Sequence, residues 1–491
     1  MSAVARRPKV AVVYHFFPHY RRAVVEALAR SDVADFTFIG DDHEYLGSVE
    51  PAKLGPHVRF ELAPTHHLFG TAMWQWRAFT VAFDRRFDTI IFHPVPHWPC
   101  TWLGAIAARL MGKRVLFWGQ ALLAPPRGLN GLVRRALNAL PHEHLLYGRR
   151  AKMLLMQLGW DPARLHVIHN SLDFEHQSAV RARISADRLR DVRTELFGDA
   201  SVPVVACPSR LIAMRRLDLL IEALAQLAAR GRPTNLLLIG DGPERAALER
   251  LAGDRGVRTH FEGACYDEAR LAELIMASNV VASPGRVGLT VIHALTYGVP
   301  VVSHGDPCDQ APEWEAIVPG VSGGYFDSGS VDGLADSLEP WLDRPMADPA
   351  TAAACRSVVE RFWNRVISDM QYSVRSSASL PMISSTVANR CNTWSIREPG
   401  RLDPTSLDSL NHVRHPRLFG TVRAQRPPAR TRLHCSPRTG RFRAGRRSGS
   451  GHRARPPSPV DPRSVAPRPS TDGGRRRRGD DHLQRRDLQL P

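Results

Sequence analysis

Residues 280–302 read VVASPGRVGLTVIHALTYGVPVV, and the fold is inferred outward from this stretch. Residues 280–282 form a short, apolar, β-branched run that is typical of a buried strand. A turn containing proline and glycine follows, residues 291–297 have the apolar spacing of a helix, and 299–303 form a second apolar run. A strand, a covering helix and another strand make a βαβ unit, which predicts a parallel sheet.

The same alternation of strands and helices continues on both sides of this unit. Before it we predict strands at 202–207, 235–239 and 259–262 and helices at 217–230, 244–252 and 268–277; after it we predict helices at 331–343 and 350–372. Apolar strands separated by amphipathic helices indicate a sheet that is covered on both faces. Residues 201–345 are therefore predicted to be a Rossmann-like domain, followed by helices in 346–375.

Residues 1–173 show a second alternation of the same kind. Predicted strands lie at 9–14, 35–39, 58–62, 88–92, 114–118, 144–147 and 165–169, and predicted helices at 21–30, 74–87, 101–111, 129–140 and 149–158. Residues 174–200 are polar and helical and are predicted to connect the domains. The fold class is therefore α/β, with two tandem Rossmann-like, doubly wound domains. We expect the site in the cleft between them, at the carboxyl ends of the strands.

Residues 376–491 differ in composition from the rest of the chain. They contain 24 arginines, no lysine and 8 acidic residues, so they carry +16 of the formal net charge of +18. Such a segment cannot bury enough apolar surface to offset chain entropy, and we predict a disordered tail. Three interpretations stay open: a solvated tail, an arm that binds anionic lipid or nucleic acid, or a shifted reading frame of a GC-rich gene.

Charge, cysteine spacing and apolar run length limit the class of protein. The first 375 residues hold 42 basic and 40 acidic residues, so we expect no nucleic-acid binding by this part. The seven cysteines contain no CxxC pair, and we expect neither a metal site nor a disulfide framework. No apolar run approaches the roughly 18 residues of a membrane span. We expect a cytoplasmic protein, either free or peripheral at the inner membrane face.

The turn between the strand and the helix of the first-quoted stretch has features of a phosphate site. Gly285 and Gly288 allow the backbone to approach a ligand closely. Main-chain N–H groups at the helix start, near Thr290, together with the helix dipole favour an anion such as a diphosphate. The alternative is an ordinary junction between a loop and a helix.

In order and spacing, this stretch resembles the retaining family-4 (group 1) glycosyltransferases of the GT-B fold. The matches are Ser283-Pro284, Val287-Gly288-Leu289 and Gly298-Val299-Pro300-Val301-Val302. Gly285 and His293 stand where the family has its two motif glutamates. A surface-polysaccharide subgroup has Pro-Gly-x-Val-Gly-Leu-Thr and a histidine at these places, and its following Pro-Glu-aromatic-Glu-Ala-Ile matches residues 312–317.

The resemblance assigns roles on the donor side. It implies that Arg210 and Arg215 form a catalytic pair that neutralises the leaving diphosphate, although they could instead be solvated surface arginines. His293 would replace the glutamate that binds the ribose, and Glu313 or Glu315 would supply a carboxylate to the sugar, unless they form loop salt bridges. The expected donor-binding residues are Gly240, Gly242, Glu262, Gly263, Gly285, Gly288, Leu289, Thr290, His293, Glu313 and Glu315.

The first domain is expected to bind the acceptor. Candidate acceptor-side residues follow its predicted strands and are His19, Tyr20, His93 and Trp118. His97 is a further candidate for catalysis, and a purely structural role is the alternative for each histidine.

The resemblance covers about residues 1–373. It implies transfer of a sugar from a nucleotide-sugar to a hydroxyl of a glycan or lipid-linked acceptor in cell-surface polysaccharide or glycolipid synthesis. It also implies retention of configuration, no cofactor or metal, and C-terminal helices in 346–375 that cross back to the first domain. The alternatives are a nucleotide-sugar epimerase or hydrolase and a degenerate pseudo-glycosyltransferase that binds without turnover.

Overall fold

A computed structural model describes residues 7–43, 49–364 and 370 of the chain. The predicted tail, 376–491, lies outside the described residues, as does the predicted end of the last helix at 372. The strands are β1 (Lys9–Phe16), β2 (Asp35–Asp41), β3 (Phe60–Leu62), β4 (Thr65–Phe69), β5 (Ala72–Gln75), β6 (Thr89–Phe92), β7 (Arg114–Gly119), β8 (Glu143–Leu146), β9 (Leu165–Val167), β10 (Val204–Pro208), β11 (Asn235–Ile239), β12 (Thr259–Gly263), β13 (Val280–Ser283), β14 (Val301–His304) and β15 (Gly323–Phe326). The helices are α1 (Arg22–Ala29), α2 (Trp76–Thr80), α3 (Pro99–Leu110), α4 (Gly128–Asn138), α5 (Arg149–Gln157), α6 (Phe174–Arg181), α7 (Ala186–Phe197), α8 (Leu217–Ala229), α9 (Arg245–Asp254), α10 (Glu268–Met276), α11 (Thr290–Thr296), α12 (Val331–Leu342) and α13 (Pro349–Val358).

The second half of the body is built on a six-stranded sheet. Its strand order is β12-β11-β10-β13-β14-β15, and every neighbouring pair is parallel. The chain reverses its direction of winding between β10 and β13, which is the point where doubly wound sheets bind ligands. The βαβ unit predicted from residues 280–302 is confirmed as β13, α11 and β14.

The first half is built on a seven-stranded sheet. Its order is β3-β2-β1-β6-β7-β8-β9, again with parallel neighbours. The predicted α/β class with two parallel sheets is therefore confirmed. Within the described residues no helix combines the length and the apolar character that are needed to cross a bilayer.

Several elements differ from the sequence-based prediction. The helix predicted at 74–87 begins only at Trp76, because residues 72–75 pair as β5 with β4 in an antiparallel hairpin. Strand β15 was not predicted, since glycine has low strand propensity. A Cβ at Gly323 would lie 1.8 Å from the Val301 carbonyl oxygen. The strand can therefore pack against β14 only because residue 323 is a glycine.

Helices cover both faces of the six-stranded sheet. One face packs against α8 and α12, with Leu220 and Leu224 fully buried. The opposite face packs against α7, α10, α11 and α13, with Ile292 and Leu295 buried. Each fully buried side chain of this kind contributes about 1.5–3 kcal/mol relative to exposure. The six-stranded sheet is therefore a rigid platform for the loops at its carboxyl edge.

The last described residues return to the first sheet. A π-helical turn, Val359–Trp363, follows α13, and the Trp363 ring lies 4.3 Å from the ring of His169, just after β9. Met370 is buried in the core beside β1 residues such as Val12. These contacts join the end of the described chain to its first half.

Candidate functional site

Three loops meet at the carboxyl edge of the six-stranded sheet. They are residues 209–216 after β10, 240–244 after β11 and 284–289 after β13. The first carries both predicted catalytic arginines. Arg210 is exposed, and Arg215 is half-buried beside the third loop.

The second loop packs directly on the first through two glycines. A Cβ at Gly240 would lie 2.0 Å from the Ser209 carbonyl oxygen, and a Cβ at Gly242 would lie 2.3 Å from that of Leu211. Gly240 also has φ 144°, a conformation that side chains rarely adopt. These predicted donor-binding glycines therefore hold the backbone that carries Arg210.

Close packing against the first loop explains why residue 285 is a glycine, and this contact is not evident from the sequence. A Cβ at Gly285 would lie 2.2 Å from the Met214 carbonyl oxygen, and the Gly285 N–H donates to the Arg215 carbonyl at 3.0 Å. No glutamate side chain fits at this position without displacing the first loop. Gly288 differs, because no atom lies within 4 Å of the place where its Cβ would be.

Arg215 is fixed against the third loop. Its guanidinium donates to the carbonyl of Arg286. Its Nε is buried and has no hydrogen-bond partner among the described residues. A buried N–H of this kind is normally satisfied by some partner, so it is available to an anion entering the site.

The start of α11 is tied to the end of β10. The Thr290 hydroxyl donates to the Pro208 carbonyl at 3.2 Å, and Leu289, at the N-cap, has no capping side chain. Leu289 and Thr290 are both half-buried. The helix start therefore lies at the switch point of the sheet, as predicted for the phosphate turn.

His293 is engaged by a carboxylate that the sequence reasoning missed. Its Nε2 lies 2.7 Å from Oε1 of Glu268, and the Tyr297 hydroxyl donates to the same oxygen. Burial alone would raise the pKa of Glu268, but the hydrogen bonds from His293 and Tyr297 lower it to about 2. The sequence feature that could have drawn attention to Glu268 is Asp267, which caps α10 and so places Glu268 in the first turn of that helix.

Glu315 contacts the start of a helix in the first half of the chain. Its two carboxylate oxygens accept from the backbone N–H groups of Arg149 and Arg150, each at 2.8 Å, at the start of α5. Burial raises the pKa of Glu315, and these two N–H groups oppose that effect. A Cβ at Gly148 would lie 2.7 Å from Glu315 Oε1, so a larger residue there would displace this carboxylate. Glu315 therefore caps a helix of the first half of the chain.

Glu313 makes a second contact of this type. It is buried, and it accepts a hydrogen bond from the Asn170 side chain. Burial raises its pKa, which the hydrogen bond from Asn170 opposes. Both glutamates thus join the segment after β14 to the first half of the body.

Glu262 and Gly263 end β12 at the rim of the site. The Glu262 carboxylate accepts from Arg270 Nε at 2.9 Å and lies 3.0 Å from His260 Nε2. Gly263 has φ 84° and pairs with Gly240 in an isolated bridge. The Glu262 side chain is therefore engaged by Arg270 and His260, while Gly263 is joined to the second loop through its backbone.

On the acceptor side, His93 is half-buried in an aromatic cluster. Its ring stacks on Tyr14 at 4.1 Å, and its Nδ1 lies 3.1 Å from the Trp118 carbonyl oxygen. Burial lowers the pKa of His93 to about 3, and His15 and Arg21 add to this effect. The imidazole is therefore neutral at physiological pH.

The other predicted histidines lie nearer the surface. His19 and His97 are exposed, and Tyr20 is half-buried. Partial burial and the neighbouring Arg134 lower the pKa of His97.

Trp118 does not present a face to an acceptor, because it is only 1% exposed. It lies beneath a residue not named among the candidates, Arg21, whose guanidinium is 5.1 Å from its ring. Arg21 Nη2 donates to the Tyr147 hydroxyl at 2.6 Å, while its buried Nη1 has no partner among the described residues. Burial would lower the pKa of Arg21, but Tyr147, Tyr14 and Glu313 keep it raised. A buried cation thus follows β1.

One group of possible metal ligands occurs in the described part of the chain. The ligand atoms of Asp41, Asp42 and His43 lie within 4.8 Å of one another after β2. Asp41 also accepts from the backbone N–H of Thr65 at 2.6 Å. This group lies on the first sheet, away from the two arginines.

Comparison with known proteins agrees with this geometry. Residues 193–356 match the family described as glycosyl transferases group 1. A GDP-mannose-dependent alpha-(1-6)-phosphatidylinositol monomannoside mannosyltransferase of Mycolicibacterium smegmatis is 32% identical over 205 residues, covering 39% of this chain and 50% of that protein. A Corynebacterium glutamicum enzyme named as acting on the monoacylated substrate is 30% identical over 182 residues, covering 35% and 46%. The chain therefore spans about half the length of the curated relatives it matches.

Among solved structures, Anabaena HepE in complex with UDP is similar to the whole body. The TM-score is 0.56 at 19% identity, and the match covers 76% of this chain and 100% of that one. At this identity the likeness shows the fold, which is that of the GT-B glycosyltransferases.

Proposed function

We propose that this chain, in which residues 193–356 match a group 1 glycosyltransferase domain, transfers a sugar from a nucleotide-sugar to a hydroxyl of a glycan or lipid-linked acceptor. The relatives are named for GDP-mannose-dependent transfer to phosphatidylinositol mannosides, and HepE was solved with UDP. These names support a nucleoside diphosphate sugar as donor and a role in cell-surface glycolipid or polysaccharide synthesis.

One observation carries the proposal: Arg210 and Arg215 lie on a loop that is held by backbone contacts from two neighbouring loops at the switch point of the sheet. Gly240 and Gly285 make these contacts at carbonyl oxygens of the arginine-bearing loop. Positive charge fixed in advance stabilises the negative charge that grows on a departing diphosphate. Because the loops are already packed, little reorganisation is needed when the donor binds.

The pair formed by Glu268 and His293 compensates for the missing second glutamate of the family. Oε1 of Glu268 is held by His293 and Tyr297, and the side chain remains 30% exposed. We assign Glu268 to the ribose hydroxyls, with His293 as the residue that positions it. A carboxylate from α10 would then bind the ribose hydroxyls, as a carboxylate on α11 does elsewhere in the family.

The acceptor would bind over the carboxyl edge of the seven-stranded sheet. His93 and Tyr20 are half-buried in the segments after β6 and β1, and the positive charge of the buried Arg21 next to Tyr20 favours an anionic acceptor such as a lipid phosphate through its electric field. Retention of configuration, independence of metal and a cytoplasmic site at the inner membrane face complete the proposal.

The test is thermal stability of the full chain with UDP-, GDP- and ADP-sugars. One nucleotide class should raise the melting temperature, because a ligand at a hundredfold its Kd adds about 2.7 kcal/mol of stability. The rise should vanish in Arg210→Gln/Arg215→Gln. Arg255→Gln, which loses only an exposed ion pair with Glu222, is the matched control and should keep the rise.

Activity is then followed as sugar transfer to a lipid extract with the nucleotide class so identified. Transfer that is lost in the double arginine variant supports the proposal. Donor binding without transfer to any lipid or glycan would favour the pseudo-glycosyltransferase instead. No thermal shift with any nucleotide-sugar, in a protein that unfolds cooperatively, would contradict the donor site itself.

A further inference from the structure

A cavity of about 300 Å³ lies at the other edge of the six-stranded sheet from the donor loops. Its lining includes Ser278 and Asn279, which precede β13, and Val299 and Pro300, which precede β14. The donor loops follow the carboxyl ends of the same strands. A strand of four residues is roughly 13 Å long, so the cavity lies at the opposite end of these strands from the donor loops. Its lining also includes Tyr297, whose hydroxyl donates to Glu268.

Three arginines line this cavity: Arg181 from α6, Arg344 after α12 and Arg356 from α13. All three are half-buried. The ion pairs found among the described residues include none that joins any of these arginines to a carboxylate. Three arginines and one aspartate line the cavity, so its lining carries a net positive charge.

Hydrogen bonds hold two of the three guanidinium groups near the cavity. Arg181 Nη1 donates to the Thr296 carbonyl at 3.0 Å, and Arg344 Nη1 donates to the Thr351 hydroxyl at 2.8 Å. Arg356 Nη1 would lie 3.2 Å from a Cβ built on Gly298, another lining residue. Each group keeps further N–H donors beyond these bonds, because a guanidinium has five.

Two acidic groups near the cavity, Asp348 beside Arg344 and Glu360 beside Arg181, offset part of this charge. The Asp348 carboxylate accepts from the N–H and the hydroxyl of Thr351, at 2.8 and 2.6 Å, because it caps α13. Burial and the Arg356 charge lower the pKa of Arg181, and Glu360 opposes them. An anion between Arg181 and Arg356 would relieve their repulsion.

We propose that this cavity binds a phosphate-bearing ligand, with Arg181, Arg344 and Arg356 on the phosphate oxygens. Planar guanidinium groups match phosphate geometry, and three of them can bind three oxygens. The volume accommodates a phosphate with one small attached group, since ligand sites start at about 300 Å³. The ligand is either a soluble phosphorylated compound or the headgroup of an anionic lipid. This site is independent of the proposed sugar transfer.

The first test is calorimetric titration of the full chain with inorganic phosphate and with glycerol phosphate at low ionic strength. Arg181→Gln/Arg356→Gln should weaken binding roughly 100-fold, because two charge-assisted contacts are removed. Arg210→Gln/Arg215→Gln, at the donor loops, and Arg255→Gln, on the surface, should retain it. Unchanged affinity in Arg181→Gln/Arg356→Gln, or binding lost only in the donor-loop variant, overturns the proposal.

A second variant separates lost binding from lost folding. Arg356→Lys keeps the charge in the cavity, and it should bind more tightly than Arg356→Gln while both melt near the temperature of the unmodified chain. If lysine and glutamine weaken binding equally in folded proteins, charge recognition at Arg356 is refuted.

Flotation with vesicles distinguishes the two sources of the phosphate. Phosphatidylcholine vesicles with phosphatidic acid, compared with phosphatidylcholine alone, should recruit the chain if the ligand is a lipid headgroup, and Arg181→Gln/Arg356→Gln should abolish this. Phosphate binding in solution without such recruitment assigns the cavity to a soluble compound. Failure of both the titration and the flotation to respond to the double variant overturns the site.

Discussion

At the residue scale, Gly285 shows that a close backbone contact can determine the residue type at a position where the family has a glutamate. In the sequence, Gly285 stands where the family has a glutamate, and a glycine there is expected to let a ligand approach the backbone. In the structure the Met214 carbonyl lies where its Cβ would be, and Gly288 is the glycine with open space beside it. The contact with the first loop, rather than contact with a sugar, is therefore the reason for glycine at 285.

Gly285→Ala should lower both the free energy of unfolding and the affinity for the nucleotide-sugar. The added Cβ would lie 2.2 Å from the Met214 carbonyl oxygen, so the arginine-bearing loop must move. Overpacking of this kind costs about 1–3 kcal/mol. Urea unfolding and the thermal-shift test measure the two effects.

Gly288→Ala is the control for this change, since nothing lies within 4 Å of its Cβ position. It should leave stability nearly unchanged. Equal destabilisation by Gly285→Ala and Gly288→Ala would show that the close contact of Gly285 with the first loop is not the cause of the lost stability.

Glu268 gives the body a pH-dependent contribution to stability. Its folded pKa is lowered from 4.5 to about 2. Its contribution is therefore fully present above pH 4.5 and is lost as the pH falls toward 2. Glu268→Gln should remove this part of the pH dependence, measured as the difference in unfolding free energy between the two proteins at pH 7 and at pH 3.

The sign of that difference decides the outcome. The stability gap between the unmodified chain and Glu268→Gln should shrink as the pH falls. A gap that stays constant from pH 7 to pH 3 would show that the contacts of His293 and Tyr297 do not stabilise the charged carboxylate.

At the element scale, helix α5 begins without a capping side chain of its own. Its N-cap is Gly148, and the free N–H groups of its first turn are satisfied by Glu315, 165 and 166 residues further along the chain. A carboxylate at this end also interacts favourably with the helix dipole. One short helix thereby fixes the position of the segment after β14.

Glu315→Gln should destabilise the fold by about 1–3 kcal/mol, because one amide N–H₂ would face a backbone N–H in a buried place. Urea unfolding measures the loss. Glu339→Gln is matched to it in chemistry, but that glutamate pairs with Arg230 at the surface, and its loss should cost at most about 1 kcal/mol. Similar costs for the two variants would mean that the cap is not formed.

At the scale of the whole molecule, the two sheets are joined by a few buried polar contacts. Asn170 follows β9 of the first sheet, and Glu313 follows β14 of the second, 143 residues later in the chain. The Arg21 charge lies close enough to influence Glu313. Because these groups are buried together, any movement that opens the cleft must break or carry along this contact.

A double-mutant cycle with Asn170→Ala and Glu313→Gln should show a coupling energy of about 0.5–3 kcal/mol in urea unfolding. The same cycle with Asn170→Ala and Arg255→Gln should show almost none, because Arg255 pairs with Glu222 at the surface. Additive effects of the first pair would remove the buried contact as a link between the sheets.

The sequence by itself determined the parallel sheets, most element positions and the order of the donor loops. These follow from apolar periodicity and turn residues, which act between near neighbours in the chain, as in the stretch 280–302. Only the tertiary structure decided that β4 pairs with β5, that Gly323 admits a strand, that Glu315 caps α5 and that Glu268 meets His293. These contacts depend on groups brought together by folding, so their burial and their hydrogen-bond partners are not encoded in any local pattern.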